Sequence, residues 1–161
     1  MTLVLDVQYA AEESADHAPS PEAFERWAAA VLRELEEAEA VSLTVRIAGE
    51  DEVRSLNGRY RGVEQPTNVL SFPMDLLVPL QPRPLGDIVL CGPLVRQEAL
   101  AQGKPEEAHW AHLTVHGILH LVGYDHQSDD EARMMESLER HILAGLGYPD
   151  PYGGEADLMQ E

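Results

Sequence analysis

The sequence has 161 residues, and its 11 basic against 29 acidic side chains give a formal net charge of −18 with histidine neutral. That length suits one domain, and 44% apolar residues supply an ordinary core, which excludes the disordered and fibrous classes. A single cysteine, Cys91, excludes an intrachain disulfide framework, and the longest apolar run, Trp27 to Leu32, is far too short to span a bilayer, so a cytoplasmic protein without a membrane partner is expected.

Leu3, Leu5 and Val7 alternate with Val4 and Asp6 and predict a first strand. Ser20 before Pro21 is an N-cap followed by a first-turn proline, and Phe24, Trp27, Ala28 and Val31 then fall at helical spacing, predicting a helix over about 21–38. Val41, Leu43, Val45 and Ile47 alternate with Ser42, Thr44 and Arg46 as in a half-buried strand. Gly49 breaks that strand, and Val53, Leu56 and Tyr60 mark a short helix ending near Gly62.

Thr67 to Phe72 and Asp87 to Cys91 are rich in β-forming residues, and Pro73, Pro79, Pro82 and Pro84 between them predict a loop without regular structure. Pro105 opens a helix whose first turn carries Glu106 and Glu107 and which runs to Gly123. Apart from its histidines that helix is apolar almost all round, so it belongs at the centre of the fold. Ser128 and Glu131 form a capping box, Ala132, Met135, Leu138 and Ile142 give the buried stripe of a last helix, and Gly145 and Gly147 end it. One domain is expected over 1–148, followed by an acidic tail, 149–161, that frays.

An acidic chain is a poor general partner for nucleic acid, because phosphate binding draws on Lys and Arg. The basic residues are uneven, however. Between Val53 and Phe72, Arg54, Arg59 and Arg61 face one acid, Glu64, a net of +2 in a chain of −18. Any contact with RNA would be local to that segment.

Five of the seven histidines lie between positions 109 and 126, and three of them form His116-x3-His120-x5-His126. Residues four apart stand one turn apart on the same helix face, so both imidazoles reach one metal ion. Gly123 permits a left-handed turn that returns the chain and brings His126 in as a third ligand. Three imidazoles with an open fourth position describe a catalytic zinc site rather than a structural one. His109 and His112 share the same arc and read as surface groups or as supports of the ligands; His17 and His141 read as solvated. The spacing also occurs in zinc proteases, where a Glu after the first His is the general base. Here that position is Gly117, which cannot accept a proton, so peptide hydrolysis by that route lacks its base.

The run His116-Gly117-Ile118-Leu119-His120-Leu121-Val122-Gly123-Tyr124-Asp125-His126 resembles the H-G-x-L-H-L-x-G-Y-D-H signature of the YbeY family of bacterial zinc-dependent endoribonucleases and ribosomal RNA maturation factors. Leu56-Asn57, Tyr60-Arg61, the block Pro66 to Pro73, Leu85-Gly86-Asp87-Ile88 and Met135-Glu136 extend the resemblance over about 41–147. It implies an α+β fold, with a small mixed sheet of about four strands packed by about five helices, the central one carrying two of three zinc-binding histidines. It implies one Zn2+ on His116, His120 and His126, and a role in maturing the 3′ end of 16S ribosomal RNA and in late ribosome quality control. Ribosomal RNA and small-subunit components are the implied partners, with an assembly GTPase as a further candidate. By order and spacing the family's characteristic arginine falls on Arg59, where a guanidinium would offset charge on a phosphoryl oxygen. Many members carry Asp where this chain has Asn68, whose amide still hydrogen-bonds.

The remaining candidates each have two readings. Arg61 belongs to the basic patch or is a surface arginine. Asp125 orients a ligating imidazole or shapes the turn; Met135 packs beneath the metal or fills the core. Ser71 touches substrate or is paired to backbone, and Tyr124 stacks on a base or caps the core. Two other functions fit the same motif, a non-catalytic ribosome-assembly factor with a structural zinc and a three-histidine hydrolase of another substrate class.

Overall fold

The computed structural model describes residues 2–11, 13 and 17–152. Among them are four strands and five helices: β1 (Leu3–Tyr9), α1 (Pro21–Glu34), β2 (Val41–Ala48), α2 (Glu50–Arg61), β3 (Val69–Pro73), β4 (Arg83–Cys91), α3 (Gly92–Gln102), α4 (Glu106–Leu121) and α5 (Asp129–Leu146). The strands form one mixed sheet in the order β1-β2-β4-β3, the α+β architecture that the resemblance implies. β1 and β2 run parallel, as do β2 and β4, while β3 is antiparallel to β4.

Each sheet face is buried differently. Val41, Leu43, Val45 and Ile47 of β2 with Ile88 and Leu90 of β4 face the main core, shared with α1, α4 and α5. Val89 and Cys91 point the other way and join Leu70 and Val53 in a smaller core beneath α2. The period-2 side-chain alternation of a strand divides the two cores along β4. Burial raises the Cys91 thiol pKa, which leaves it a small apolar filler there.

Both predicted N-caps are made: Ser20 Oγ accepts from Ala23 N at 3.2 Å and Ser128 Oγ from Glu131 N at 3.1 Å. Boundaries differ in places. α1 stops at Glu34 rather than near 38, and α5 runs through Gly145 to end at Gly147, where φ is +93°. α3, over residues for which no element is predicted, starts directly from β4 with Pro93 in its first turn, where a missing N–H costs nothing.

The proline-rich connection is also shorter than expected, since Pro73 closes β3 and Pro84 lies inside β4. β4 tolerates proline because its pairing with β2 is bulged at that point, with Ser42 opposite Pro84 and Leu43 opposite Gly86. Gly86 completes the bulge at φ +134°, where a Cβ would lie 2.2 Å from the Phe72 carbonyl oxygen. The rest of the loop leaves Met74, Leu76, Leu77, Val78 and Leu80 exposed.

α4 is the central helix, with twelve of its sixteen residues buried. Its approach to the sheet depends on Gly117, because a Cβ there would stand 3.2 Å from both Ile88 Cγ2 and Val69 Cγ2. Ser71 Oγ donates to the Gly117 carbonyl at 2.9 Å and ties β3 to the helix at the same residue. The glycine that replaces the protease glutamate is thus the contact point of helix and sheet.

Of the tail expected to fray, residues 149–152 are described, and Tyr152 is packed against α4 and α5 through hydrogen bonds to His112 and Glu139. Residues 153–161 lie outside the described residues.

Candidate metal centre

His116 and His120 project from the last turns of α4. The helix then ends as Gly123 takes φ +105°, with Gly123 N donating to the His120 carbonyl at 3.1 Å and Tyr124 N to that of Leu119 at 3.0 Å. This glycine-centred reversal returns the chain and places His126 against the helix end. Asp125 completes the turn by accepting from His126 N at 2.7 Å through Oδ1, which is the turn-shaping alternative for that residue.

One ligand atom from each of His116, His120 and His126 lies within 4.8 Å of the other two. The ring centroids are 4.6 Å apart for His116 and His120, 5.0 Å for His120 and His126, and 5.8 Å for His116 and His126. Burial, with the charge that His116 and His126 would carry, holds the His120 imidazole below its ordinary pKa. A neutral ring offers a nitrogen lone pair that suits a borderline-soft divalent cation. His126 is exposed, while His116 and His120 are half-buried, so the donors stand where solvent and substrate reach them.

The family model described as "Endoribonuclease YbeY" matches residues 8–147. The chain belongs to that family. Relatives of that name are 49% identical in Dichelobacter nodosus, covering 94% of this chain and 97% of the relative, and 52% identical in Alkalilimnicola ehrlichii, covering 93% and 91%. A Thermotoga maritima protein solved in solution shares the fold with a TM-score of 0.59 at 23% identity, over 96% of this chain and 93% of that one. Membership makes this YbeY chain a nuclease of the hydrolase class, and no helix among the described residues is long and apolar enough to cross a membrane.

The other candidates of this YbeY chain scatter around the cluster. Arg59 is exposed on α2, its Nη2 3.4 Å from Ser55 Oγ, and lines an open groove with Asp51, Arg54, Ser55, Gly58 and Glu64, none of them one of the three histidines. Arg61 is exposed at the end of the same helix. Asn68 donates to Glu98 Oε1 at 3.1 Å, and Glu98 also pairs with His109 Nε2 at 2.8 Å. Ser71 is spent on the Gly117 carbonyl, Tyr124 packs against the main core, and Met135, 1% exposed, is core.

His109 and His112 are buried. The surface alternative for both is thereby corrected, because an all-round apolar helix at the centre of a fold leaves no solvated face for them. His141 is exposed and its Nε2 lies 2.7 Å from Glu34. The residue that sequence reasoning missed is Glu139, a carboxylate only 1% exposed. Its signal was present: Met135, Glu139, Ile142 and Leu143 keep helical spacing on the buried face of α5, so an acid sits in the apolar stripe.

Proposed function

We propose that this chain is a zinc-dependent, single-strand-specific endoribonuclease of the cytoplasm that acts in late ribosome quality control and in maturing the 3′ end of 16S ribosomal RNA. The observation that carries the reading is the convergence of the three imidazoles, with ligand atoms within 4.8 Å of one another, in a chain of the YbeY family. The donor set fits zinc: three neutral nitrogens, no further protein ligand needed, and one side open to solvent. When bound, zinc supplies Lewis acidity toward a phosphoryl oxygen and makes water acidic enough to react near neutral pH.

The rest falls to the protein. Arg59 would bind a phosphate of the RNA and offset the charge that builds on it during cleavage, in the fork geometry lysine lacks. Arg61 would extend that basic patch along the strand. Because the whole chain carries −18, affinity for RNA rests on this patch and on small-subunit components, with an assembly GTPase as a further candidate, that deliver the substrate; isolated activity is accordingly weak and falls with salt.

The test is zinc content by plasma mass spectrometry for wild type beside His120→Ala, followed by cleavage of a single-stranded RNA. Wild type retains about one zinc per chain and His120→Ala loses it. Arg59→Ala keeps its zinc and loses roughly a hundredfold or more in cleavage rate, the scale of one lost electrostatic contact. Absence of metal from wild type even after zinc titration refutes the proposal. Normal zinc with equal cleavage by wild type and Arg59→Ala removes Arg59 from the chemistry.

A further inference from the structure

Glu139 enters the main core from α5 and meets three donors there. Its Oε2 lies 2.8 Å from His112 Nε2 and 3.3 Å from His116 Nδ1, and its Oε1 accepts from the Tyr152 hydroxyl at 3.0 Å. A carboxylate in an apolar core is costly unless its oxygens are paired. Buried with both oxygens in contact with donors, the carboxylate is satisfied as an acceptor when the contacting ring nitrogens carry the protons.

The consequence for His112 can be checked within the structure. With the proton on Nε2, its Nδ1 is a bare lone pair, and Nδ1 is the atom of that ring buried without a hydrogen-bond partner; an unpaired N–H there would cost more than an unpaired lone pair. The same logic puts a proton on His116 Nδ1 and leaves Nε2 as its only donor toward His120 and His126. Tyr152 Oη lies 3.2 Å from His112 Nε2 as well as bonding Glu139, so the chain beyond α5 helps fix the carboxylate.

We propose that Glu139 is the positioning residue of the metal centre: its carboxylate locks His116 in the Nδ1–H tautomer with Nε2 turned to the metal, and Tyr152 and His112 hold that carboxylate in place. This rests on the reading that the three histidines bind a metal. The carboxylate raises the basicity of the ring it accepts from and brings a negative charge close to a dication, both of which strengthen binding.

Two readouts test it. Long-range 1H–15N spectra of the histidine side chains report the tautomer of His116 in wild type, metal-free and zinc-loaded, and competition with a chromophoric chelator reports zinc affinity. Expected are a protonated Nδ1 on His116 in both states, zinc bound about 10–100-fold more weakly by Glu139→Gln, and about 2–10-fold more weakly by Tyr152→Phe, which loses one hydrogen bond. In metal-free Glu139→Gln the His116 signals shift toward a tautomer mixture. Coordination of zinc through His116 Nδ1, or wild-type affinity in folded Glu139→Gln, overturns the proposal while leaving the metal reading intact. Failure of wild type to take up zinc overturns both. Should Glu139→Gln not fold, the wild-type tautomer and Tyr152→Phe still decide.

Discussion

Replacing Gly117 by alanine sets two effects of opposite sign against each other. In an unpacked helix the change stabilises by about 1 kcal/mol, because glycine loses more backbone freedom on folding. Here the new Cβ would sit 3.2 Å from Ile88 Cγ2 and 3.2 Å from Val69 Cγ2, inside ordinary van der Waals contact on two sides, and 3.4 Å from Ser71 Oγ, at contact distance. Ile88 is wholly buried in β4 and has nowhere to retreat, so the helix must lift or the sheet must yield, an overpacking cost of about 1–3 kcal/mol. The net expectation for Gly117→Ala is a loss of about 1 kcal/mol, or about 2–4 °C in the unfolding midpoint for a chain of this size. Gly117→Glu, which installs the protease residue, adds a larger side chain and a charge, and costs several kcal/mol, roughly enough to consume much of a typical domain's stability. Urea and thermal unfolding of the metal-free proteins measures both. An alanine variant more stable than wild type by the full helix-propensity gain would mean that α4 is not pressed on β3 and β4 at this residue, and the account of why glycine stands there would fail.

Burial depresses the His109 pKa, against the raising effect of its Glu98 partner, with Lys104 and His112 adding repulsion. A histidine whose folded pKa lies below its unfolded value of about 6.5 contributes stability fully present above that pH and lost as pH falls below it; metal-free wild type should lose more stability than His109→Gln between pH about 7.5 and about 5.5, and equal losses would contradict this. Ser71→Ala removes the hydroxyl that ties β3 to the Gly117 carbonyl; a fall of about 1 kcal/mol in urea unfolding is expected, with zinc uptake unchanged, and an unaltered midpoint would mean that the bond contributes nothing.

What could be read from the chain follows from how local each signal is. β2 alternates strictly because one of its faces meets the main core, and the caps Ser20 and Ser128 sit beside the turns they serve. The His116, His120 and His126 grouping was legible for the same reason: one helical turn and one glycine reversal bring eleven consecutive residues to a point. α3 was hidden because it has no polar side-chain cap and little contrast between its faces, and because Gly92-Pro93 looks like a turn when read alone. The start of β4 was hidden because Pro84 is acceptable only at a bulge, and a bulge exists only relative to β2. Glu139 meets His112 across 27 positions and His116 across 23, a distance over which no spacing rule reaches. Arg59 keeps to α2, and the role proposed for it rests on the family resemblance rather than on a contact with the histidines.

The strand order has a consequence for how the chain assembles as it is made. Among the described residues β4 is the last strand synthesised, yet it is the one that pairs with both β2 and β3. Until residues 83–91 have left the translating ribosome, β1 and β2 can form only a two-stranded ribbon with an open edge, and β3 has no neighbour at all. Two-stranded ribbons are marginal in water, and open edges invite pairing with other chains. The nascent protein therefore passes through an interval of exposed edges that closes when β4 slides between its neighbours. Only then does α4 have a finished surface to settle on, so the histidines it carries are gathered after the sheet is complete.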